Sequence, residues 1–353
     1  MWAMRSYRAK DRWFPLRGCF GHNARLVQQT TESAGKMPES IAIGGKIIAP
    51  GESDELELRV ARLPTGDWLS LPTVILNGQR KGPGVWLDAA IHGDELNGLE
   101  IIRRVLAILD PAKLAGQVLA VPIVNVFGFV QQTRYLPDRR DLNRSFPGSA
   151  RGSLASRIAH LFMTEIVDRC LYGLDFHTGS LHRTNLPQVR GALDDPETLR
   201  IGRAFGAPVL LSAAKIKGSL RQAAGRRGAH VLVYEAGEPL RFDEQAIQAG
   251  VQGTLGVLAA LGMWDSPAKG ETKPFEASAT RWLRASRSGV FHRHASLGDR
   301  VAKQETIGRI SDVLGHDERP VKASIAGMVI GYTNNPLVHQ GDALIHLANL
   351  EKT

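Results

Sequence analysis

Short apolar runs alternate with amphipathic segments across the middle of this 353-residue chain. The apolar runs have the length of buried strands, and they fall at residues 84–91, 118–124, 172–176, 208–211 and 230–235. Between them, apolar residues recur at helical spacing over residues 95–109, 153–169, 197–205 and 243–261. Strands that alternate with helices predict an α/β fold with a mostly parallel central sheet. Upstream, the alternating residues 56–60 and 69–76 predict antiparallel edge strands.

The composition restricts the class of protein more than its function. Apolar residues make up 43% of the chain and charged residues 22%, as in ordinary soluble proteins. No apolar run reaches the roughly 18 residues that a membrane span needs. Cys19 and Cys170 lie far apart, which argues against a disulfide framework and favours a reducing, cytoplasmic location. The net charge of +9 does not predict nucleic-acid binding, because no basic helix interleaved with aromatic residues is present.

The chain divides into four predicted regions. Residues 1–38 are rich in arginine and lack the apolar core of a secretory signal, which favours a disordered basic leader. Residues 39–265 hold the alternating strands and helices and are the predicted catalytic domain. Residues 266–280 have the composition of a linker, and residues 281–353 predict a small all-β domain.

The C-terminal region contains a weak internal repeat, in which residues 289–301 resemble residues 327–344. Each half has a glycine-led strand, a Gly-Asp turn and a second apolar strand. This arrangement resembles the barrel-sandwich of biotinyl and lipoyl carrier domains, which modify a lysine in the hairpin between the halves. Residues 311–318 hold no lysine. We therefore expect a structural lid or an oligomerisation module, and a homo-oligomer is one possible assembly.

Candidate metal ligands follow two of the predicted strands. His92 and Glu95 are three residues apart, which places both on one side of the first helical turn. His177 follows the strand at 172–176, and ligands in open α/β sheets usually bind at the carboxyl ends of strands. Two imidazoles and a carboxylate suit a catalytic Zn²⁺, whose fourth position stays open. The sequence predicts one zinc ion per chain, with another divalent metal as the alternative.

An arginine-rich segment at residues 133–148 predicts a site for a small anionic ligand. Arg144 can hold a carboxylate through two parallel hydrogen bonds, and Asn143 beside it adds a neutral donor. Arg134 and Arg139 are further candidates for substrate binding. The alternative is a solvated loop whose aspartates pair with the arginines, and for Arg140 we expect that arrangement.

A glutamate at the end of the strand at 230–235 is the candidate general base. Glu235 is a poor choice for an apolar core, but a carboxylate beside an activated water transfers protons well. Glu238 is the second candidate. Residues 181–190 predict a charged loop that either frames the substrate pocket or lies on the surface. Three of its polar residues are candidates for the pocket: Arg183, Asn185 and Arg190.

Four motifs occur in a fixed order along the chain. They are His-Gly-Asp-Glu at 92–95, Asp-Leu-Asn-Arg-Ser-Phe-Pro-Gly at 141–148, Asp-Phe-His-Thr-Gly at 175–179 and Tyr-Glu-Ala-Gly at 234–237. Together they resemble the succinylglutamate desuccinylase/aspartoacylase family over roughly residues 45–265. This family is related to the zinc carboxypeptidases. The resemblance implies a carboxypeptidase-like mixed sheet flanked by helices, with the barrel-sandwich-like C-terminal β domain of the bacterial branch.

The same resemblance implies a role for each motif. His92, Glu95 and His177 would bind zinc. Asn143 and Arg144 would hold the substrate's carboxylate, and Glu235 would be the catalytic base. An arginine would polarise the substrate carbonyl. Arg134 and Arg139 are both candidates for it, because this chain has extra residues before Asp141. The implied substrate is a small N-acyl amino acid, for example N-acetyl-diaminobutyrate. A metallocarboxypeptidase for short peptides and a non-catalytic binding protein remain the alternatives.

Overall fold

The computed structural model describes residues 39–265 and 273–349. The predicted leader at 1–38 and residues 266–272 of the predicted linker lie outside this range. The α-helices of the described residues, in chain order, are α1 Asn97–Ile108, α2 Val126–Gln131, α3 Leu154–Glu165, α4 Pro196–Phe205, α5 Leu220–Gly225 and α6 Glu244–Ala260.

The strands fall into two groups along the chain. Those before residue 266 are β1 Ile41–Ile43, β2 Lys46–Ile48, β3 Glu52–Arg62, β4 Trp68–Asn77, β5 Arg80–Ala89, β6 Ala115–Val121, β7 Tyr172–His177, β8 Arg183–Gly191, β9 Val209–Ser212 and β10 His230–Gly237. Those after residue 272 are β11 Phe275–Ala277, β12 Thr280–Arg284, β13 Gly289–Arg293, β14 Arg300–Val301, β15 Thr306–Ser311, β16 Arg319–Lys322, β17 Gly327–Thr333, β18 Leu337–Val338 and β19 Ala343–Asn349.

Four parallel strands form the centre of a large mixed sheet. Their order is β10, β7, β5 and β6. Antiparallel strands continue the sheet on both sides, with β8 beside β10 and with β4 and β3 beyond β6. The predicted mixed sheet and its antiparallel edge strands are therefore confirmed.

Hydrophobic cores cover both faces of the central sheet. Successive side chains of β5 point to opposite faces, and Trp86 and Leu87 are fully buried in two separate cores. Helices α3 and α5 supply apolar residues to the core around Trp86. Helices α1, α4 and α6 supply residues to the core around Leu87. Burial on both faces explains why the central strands are continuous apolar runs in the sequence.

The ends of α4 illustrate how local chemistry sets the helix boundaries. The side chain of Asp195 accepts a hydrogen bond from the Thr198 amide at 2.8 Å, and Pro196 occupies the first turn. Gly206 ends the helix with a φ of +70°, a conformation that glycine adopts without steric cost. The predicted helix at 197–205 thus matches the structure within one residue.

Residues 183–191 form strand β8, and the prediction of a loop there is wrong. The segment contains Pro187 and lacks a clear alternation of polar and apolar side chains. It becomes a strand because it has neighbours on both sides, with β10 on one side and β17 on the other. The sequence analysis also did not predict helix α2.

The C-terminal strands extend the large sheet instead of packing only among themselves. β17 pairs with β8, β19 pairs with β17, and β12 pairs with β19. A separate four-stranded antiparallel sheet has the order β16, β15, β13 and β18. The all-β character of this region is confirmed, while its boundary as a domain stays a prediction. Among the described residues, no helix is both long and apolar enough to cross a membrane.

Candidate metal and substrate site

His92, Glu95 and His177 converge at one edge of the central sheet, and we call them the metal cluster. His92 and Glu95 lie in the loop between β5 and α1, while His177 ends β7, the parallel neighbour of β5. One candidate ligand atom from each residue lies within 4.8 Å of the others. His92 Nδ1 is 2.8 Å from Glu95 Oε1, and His177 Nδ1 is 2.7 Å from Glu95 Oε2. The structure therefore brings together the three residues that the sequence predicted as ligands.

The loop that carries His92 is fixed by its surroundings. Ala90 adopts a φ of +50°, which is uncommon outside glycine, and its carbonyl accepts a hydrogen bond from the Asn125 amide at 2.9 Å. Gly93 packs directly against α2, since a Cβ atom there would lie 1.9 Å from the carbonyl carbon of Gly128. Only glycine permits this approach, so the glycine of the first motif is a packing requirement.

Opposite charges stabilise one another within the metal cluster. Burial acts to raise the pKa of Glu95, but the charges of His92 and His177 outweigh it and hold that pKa far below its usual range. Burial acts to lower the pKa of His177, but Asp175 and Glu95 raise it well above the ordinary value. The buried carboxylates thus favour positive charge at the centre of the cluster.

Each histidine of the cluster has a carboxylate at its outer nitrogen. His177 Nε2 lies 2.8 Å from Asp175 Oδ1, and His92 Nε2 lies 3.4 Å from Asp141 Oδ1. Metal-binding histidines usually direct their second nitrogen to such a partner, which fixes the ring and its tautomer. The inward Nδ1 atoms, the shared Glu95 carboxylate and these outer partners fit a divalent metal such as zinc.

A second carboxylate lies behind Asp175. Asp88 is directly opposite Asp175 in the pairing of β5 with β7 and accepts a hydrogen bond from Trp86 Nε1 at 2.8 Å. Burial, reinforced by the charge of Asp175, raises the pKa of Asp88 well above its usual value. Sequence reasoning missed Asp88 and the support that Asp175 gives to His177. The sequence did contain a signal, because Asp88 and Asp175 each place a carboxylate inside an apolar strand.

The structure separates the two candidate arginines of the 133–148 segment. Arg134 is partly buried, with Nη2 2.9 Å from Asp141 Oδ2 and Nη1 3.4 Å from Glu95 Oε1. Arg139 is exposed on a turn with a φ of +62°, and it does not line the cavity that holds the metal cluster. Arg140 lies at the surface 3.4 Å from Asp138, as expected.

Asn143 and Arg144 both line the cavity and lie on a short 3₁₀ turn, Leu142–Arg144. Asp141 begins this turn by accepting a hydrogen bond from the Asn143 amide at 2.9 Å. The Asn143 side-chain oxygen accepts from the Leu220 amide at 2.9 Å, which ties the turn to the start of α5. Arg144 donates to the Asn143 carbonyl at 2.7 Å and is otherwise exposed.

Glu235 lies on β10 directly opposite His177 on β7, so it enters the same cavity as the metal cluster. Its Oε2 accepts a hydrogen bond from Asn185 at 2.9 Å and lies 3.0 Å from Arg190 Nη2. Within the described part of the chain, its Oε1 makes no hydrogen bond. Glu238 lies instead in a neighbouring cavity, where Asn334 and Thr184 donate to it.

The cavity has a volume of about 650 Å³ and includes residues that the sequence did not single out. Arg221 is only 8% exposed and donates to the carbonyls of Ala213 and Ala214 at 2.9 and 2.5 Å. Trp282 on β12 also lines the cavity. Arg221 was visible in the sequence only as one of several basic residues, and Trp282 lies outside the predicted catalytic domain. Arg183, Asn185 and Arg190 line the cavity as well.

Comparison with known proteins gives a consistent family assignment. A family model described as the succinylglutamate desuccinylase/aspartoacylase catalytic domain matches residues 81–261. The N-alpha-acetyl-L-2,4-diaminobutyric acid deacetylase of Halomonas elongata is 25% identical over 292 residues, which cover 79% of this chain and 85% of the relative.

Solved structures share the fold over nearly the whole chain. A succinylglutamate desuccinylase/aspartoacylase from Rhodobacter sphaeroides aligns with a TM-score of 0.75 and 26% identity, covering 86% of this chain and 96% of that one. The ectoine utilization protein EutE (DoeB) from Ruegeria pomeroyi, in its product-bound structure, aligns with a TM-score of 0.76 and 22% identity. That alignment covers 89% of this chain and 99% of the other.

Proposed function

Because the chain belongs to the succinylglutamate desuccinylase/aspartoacylase family, we propose that it is a zinc-dependent hydrolase. It would cleave the amide bond of a small N-acyl amino acid. One observation carries the proposal: Glu235 lies opposite His177 in neighbouring strands, within the cavity that holds the metal cluster. A candidate base and three candidate metal ligands therefore share one site.

His92, Glu95 and His177 would hold the ion, supported by Asp141 and Asp175 at the outer histidine nitrogens. When bound, zinc supplies a Lewis acid that polarises a carbonyl and makes water acidic enough to react at neutral pH. The position of the metal cluster at the carboxyl ends of β5 and β7 leaves it open to the cavity.

Glu235 would act as the general base. Asn185 and Arg190 fix its Oε2, whereas Oε1 is free of hydrogen bonds to the described residues. This carboxylate takes a proton from the attacking water as the new C–O bond forms. It then gives the proton to the leaving nitrogen as the C–N bond breaks, so the products are a carboxylate and an amine.

Three further side chains would hold the substrate. Arg134 would stabilise the charge that develops on the carbonyl oxygen. Among the described arginines of the 133–148 segment, it alone lies beside Glu95. Arg139, the other candidate, is exposed on its turn. Asn143 and Arg144 would bind a substrate carboxylate at the rim of the cavity.

The size of the cavity favours a small substrate over a peptide. Residues 278–280 and Trp282, from the segment around β12, line one side of it and limit the room for a long chain. This argues against the metallocarboxypeptidase alternative. The name of the Halomonas relative makes N-acetyl-2,4-diaminobutyrate one candidate substrate.

Metal analysis and one pair of variants test the proposal. We expect about one zinc per purified chain and hydrolysis of at least one N-acyl amino acid from a panel. Glu235→Gln should lower kcat about 10²- to 10⁴-fold, the usual contribution of a general base, with zinc content unchanged. Glu238→Gln is the matched control, since Glu238 lies in the neighbouring cavity. Full activity in Glu235→Gln would refute the assignment of the base.

A further inference from the structure

The candidate base Glu235 lies where the regular pairing of its strand ends. The pairing of β10 with β7 reaches its last residue pair at Glu235 and His177. On the other side of β10, the pairing with β8 becomes irregular between Glu235 and Gly237. The neighbouring strands therefore hold this part of β10 less firmly than its centre, and contacts from other segments contribute to the position of the carboxylate.

Asn97 makes such a contact. It is the first residue of α1, lies two residues after Glu95 and is only 1% exposed. Its Nδ2 donates a hydrogen bond at 3.1 Å to the carbonyl of Ala236, the residue directly after Glu235. Its Oδ1 accepts a hydrogen bond from the Asp243 amide at 2.9 Å. One buried amide group therefore connects the start of α1 with the end of β10 and with the residue that precedes α6.

Both polar atoms of the Asn97 side chain are used for this connection rather than for the helix itself. Leu96 precedes α1 without a side-chain hydrogen bond to it, and the partners of Asn97 lie 139 and 146 residues away along the chain. One partner is a carbonyl and the other is an N–H. Only a side chain with a donor at one end and an acceptor at the other can satisfy both, which is what asparagine provides.

Close packing keeps both ends of the connection in place. A Cβ atom at Gly98 would lie 2.5 Å from the Cβ of Phe176 and 2.6 Å from the Cβ of Ala89. The start of α1 therefore rests directly on β7 and β5, the two strands that lead into the metal cluster. At the other end, Gly237 has a φ of +70°, and a Cβ atom there would lie 2.7 Å from Asn97 Nδ2.

Backbone hydrogen bonds join the same two segments. The Leu240 amide donates to the Asp94 carbonyl at 2.8 Å, and the Gly179 amide donates to the Gly237 carbonyl at 3.0 Å. Of these contacts, the one from Asn97 lies nearest to Glu235 along the chain. The loop that carries two candidate metal ligands and the strand that carries the candidate base are thus held against each other.

We propose that Asn97 is a positioning residue, which holds the end of β10 so that Glu235 keeps its place beside the metal cluster. The inference rests on the proposed amide hydrolysis, in which Glu235 is the base. Asn185 and Arg190 hold the carboxylate of Glu235, whereas Asn97 holds the backbone next to it. Reacting groups must stay within about 0.5 Å of their productive geometry, so the backbone contact matters as well as the side-chain contacts.

Two variants of Asn97 test this role in the zinc-loaded full chain. Asn97→Asp removes the donor to Ala236 and keeps the acceptor for Asp243, while Asn97→Ala removes both hydrogen bonds without adding a charge. We expect kcat to fall about 10- to 100-fold in both, because a displacement of about 1 Å can cost about 100-fold. KM should stay within about twofold, since the substrate-binding residues are unchanged.

Thr254→Val is the matched control for the loss of a buried hydrogen bond. Thr254 is fully buried, and its hydroxyl donates to the Gly250 carbonyl at 2.8 Å, within α6. We expect this variant to keep its kcat. Thermal unfolding of all three variants shows that they are folded and whether their losses of stability are comparable.

Combination with Glu235→Gln separates positioning from a general loss of structure. If Asn97 acts through Glu235, Asn97→Ala should lower kcat by less than about twofold once the carboxylate is absent. An equal loss of kcat with and without the carboxylate would assign Asn97 a structural role only, and it would overturn the inference.

Amide hydrogen exchange of the metal-free protein gives a second readout, which does not depend on activity. The Gly179 amide reports on the end of β10, because it donates to the Gly237 carbonyl. Asn97→Asp should speed its exchange about tenfold, as for the loss of one hydrogen bond, and leave the Asp243 amide protected. Asn97→Ala should speed exchange at both amides.

Full kcat in the folded Asn97 variants, or unchanged exchange at Gly179, would overturn the inference while leaving amide hydrolysis intact. Failure of the proposed function would look different. The natural zinc-loaded chain would then cleave no amide in a panel of N-acyl amino acids, which would refute the role of Glu235 as a base and the role of Asn97 with it.

Discussion

At the metal cluster, each charged side chain lies against an opposite charge, whereas Arg183 lies against the ring of Trp282, which stacks on His346. We call Arg183, Trp282 and His346 the tryptophan wall. Glu95 contacts two histidines, and each histidine has an outer carboxylate. Arg183 has no carboxylate partner among the described residues. Groups whose charges are already satisfied hold their own geometry, while an unsatisfied charge is available to a ligand. The two regions therefore differ in what they can do: the metal cluster holds its own geometry, and the tryptophan wall offers a charge to a ligand.

The strongest test of this division removes a candidate ligand from the metal cluster. His177→Ala should weaken zinc binding more than about 100-fold, since loss of an outer partner alone costs about 10- to 100-fold. Competition with a chromophoric chelator measures the affinity, and thermal unfolding of the metal-free protein checks that the fold survives. Unchanged zinc affinity in a folded variant would exclude His177 as a ligand.

A milder change removes the charge of Asp175, which lies behind the candidate ligand His177. Asp175→Asn keeps the size of the side chain but removes the negative charge 2.8 Å from His177 Nε2. We expect zinc affinity to fall about 10- to 100-fold, because the imidazole loses the carboxylate that fixes its orientation. The same chelator competition gives the value. If affinity stays within about twofold, the carboxylate does not support His177, and the metal cluster depends less on its outer partners than we infer.

The smallest expected effect concerns pH and the tryptophan wall. Folding lowers the pKa of His346 from its ordinary value of 6.5 to about 3. Between pH 6.5 and pH 3, the unfolded chain therefore binds a proton at His346 that the folded chain does not bind. The contribution of His346 to stability is complete above pH 6.5, and it declines as the pH falls towards 3. The decline is at most about 1.4 kcal/mol per pH unit.

His346→Phe isolates that contribution, because it keeps a ring beneath Trp282 and removes the titration. Denaturant unfolding at pH 6.5 and pH 5 should show a smaller loss of stability in the variant than in the natural chain. Both proteins share the metal cluster, so its own titrations cancel in the comparison. Identical pH dependence would mean that His346 titrates normally and that the wall is more open to water than its burial indicates.

The sequence predicted the metal cluster because short-range rules apply to it. His92 and Glu95 are three residues apart, and His177 follows a strand that is apolar along its length. Parallel strands bring their carboxyl ends to one edge, so the three residues had to be close. Glu235 follows from the same rule, as the end of the next parallel strand.

The sequence predicted Arg183 as a pocket candidate but not its contact with Trp282 and His346, because that contact depends on pairing between distant segments. Arg183, Trp282 and His346 meet through the contacts of β8, β17, β19 and β12, which no local pattern specifies. Strand β8 is itself irregular in sequence, with polar residues and Pro187 in place of an alternating pattern. Arg139 is the opposite case, since its place in the motif predicted a role in substrate binding and the structure puts it on an exposed turn.

The continuous sheet from β10 to β12 fixes the distance between two sides of the cavity. Glu235 and Trp282 stand on strands four pairings apart, and each pairing spans about 4.8 Å. Backbone hydrogen bonds, rather than a loop that could shift, thus hold Trp282 at its distance from Glu235. The side of the cavity that β12 supplies should therefore keep its place when a ligand enters, as the sheet behind it does.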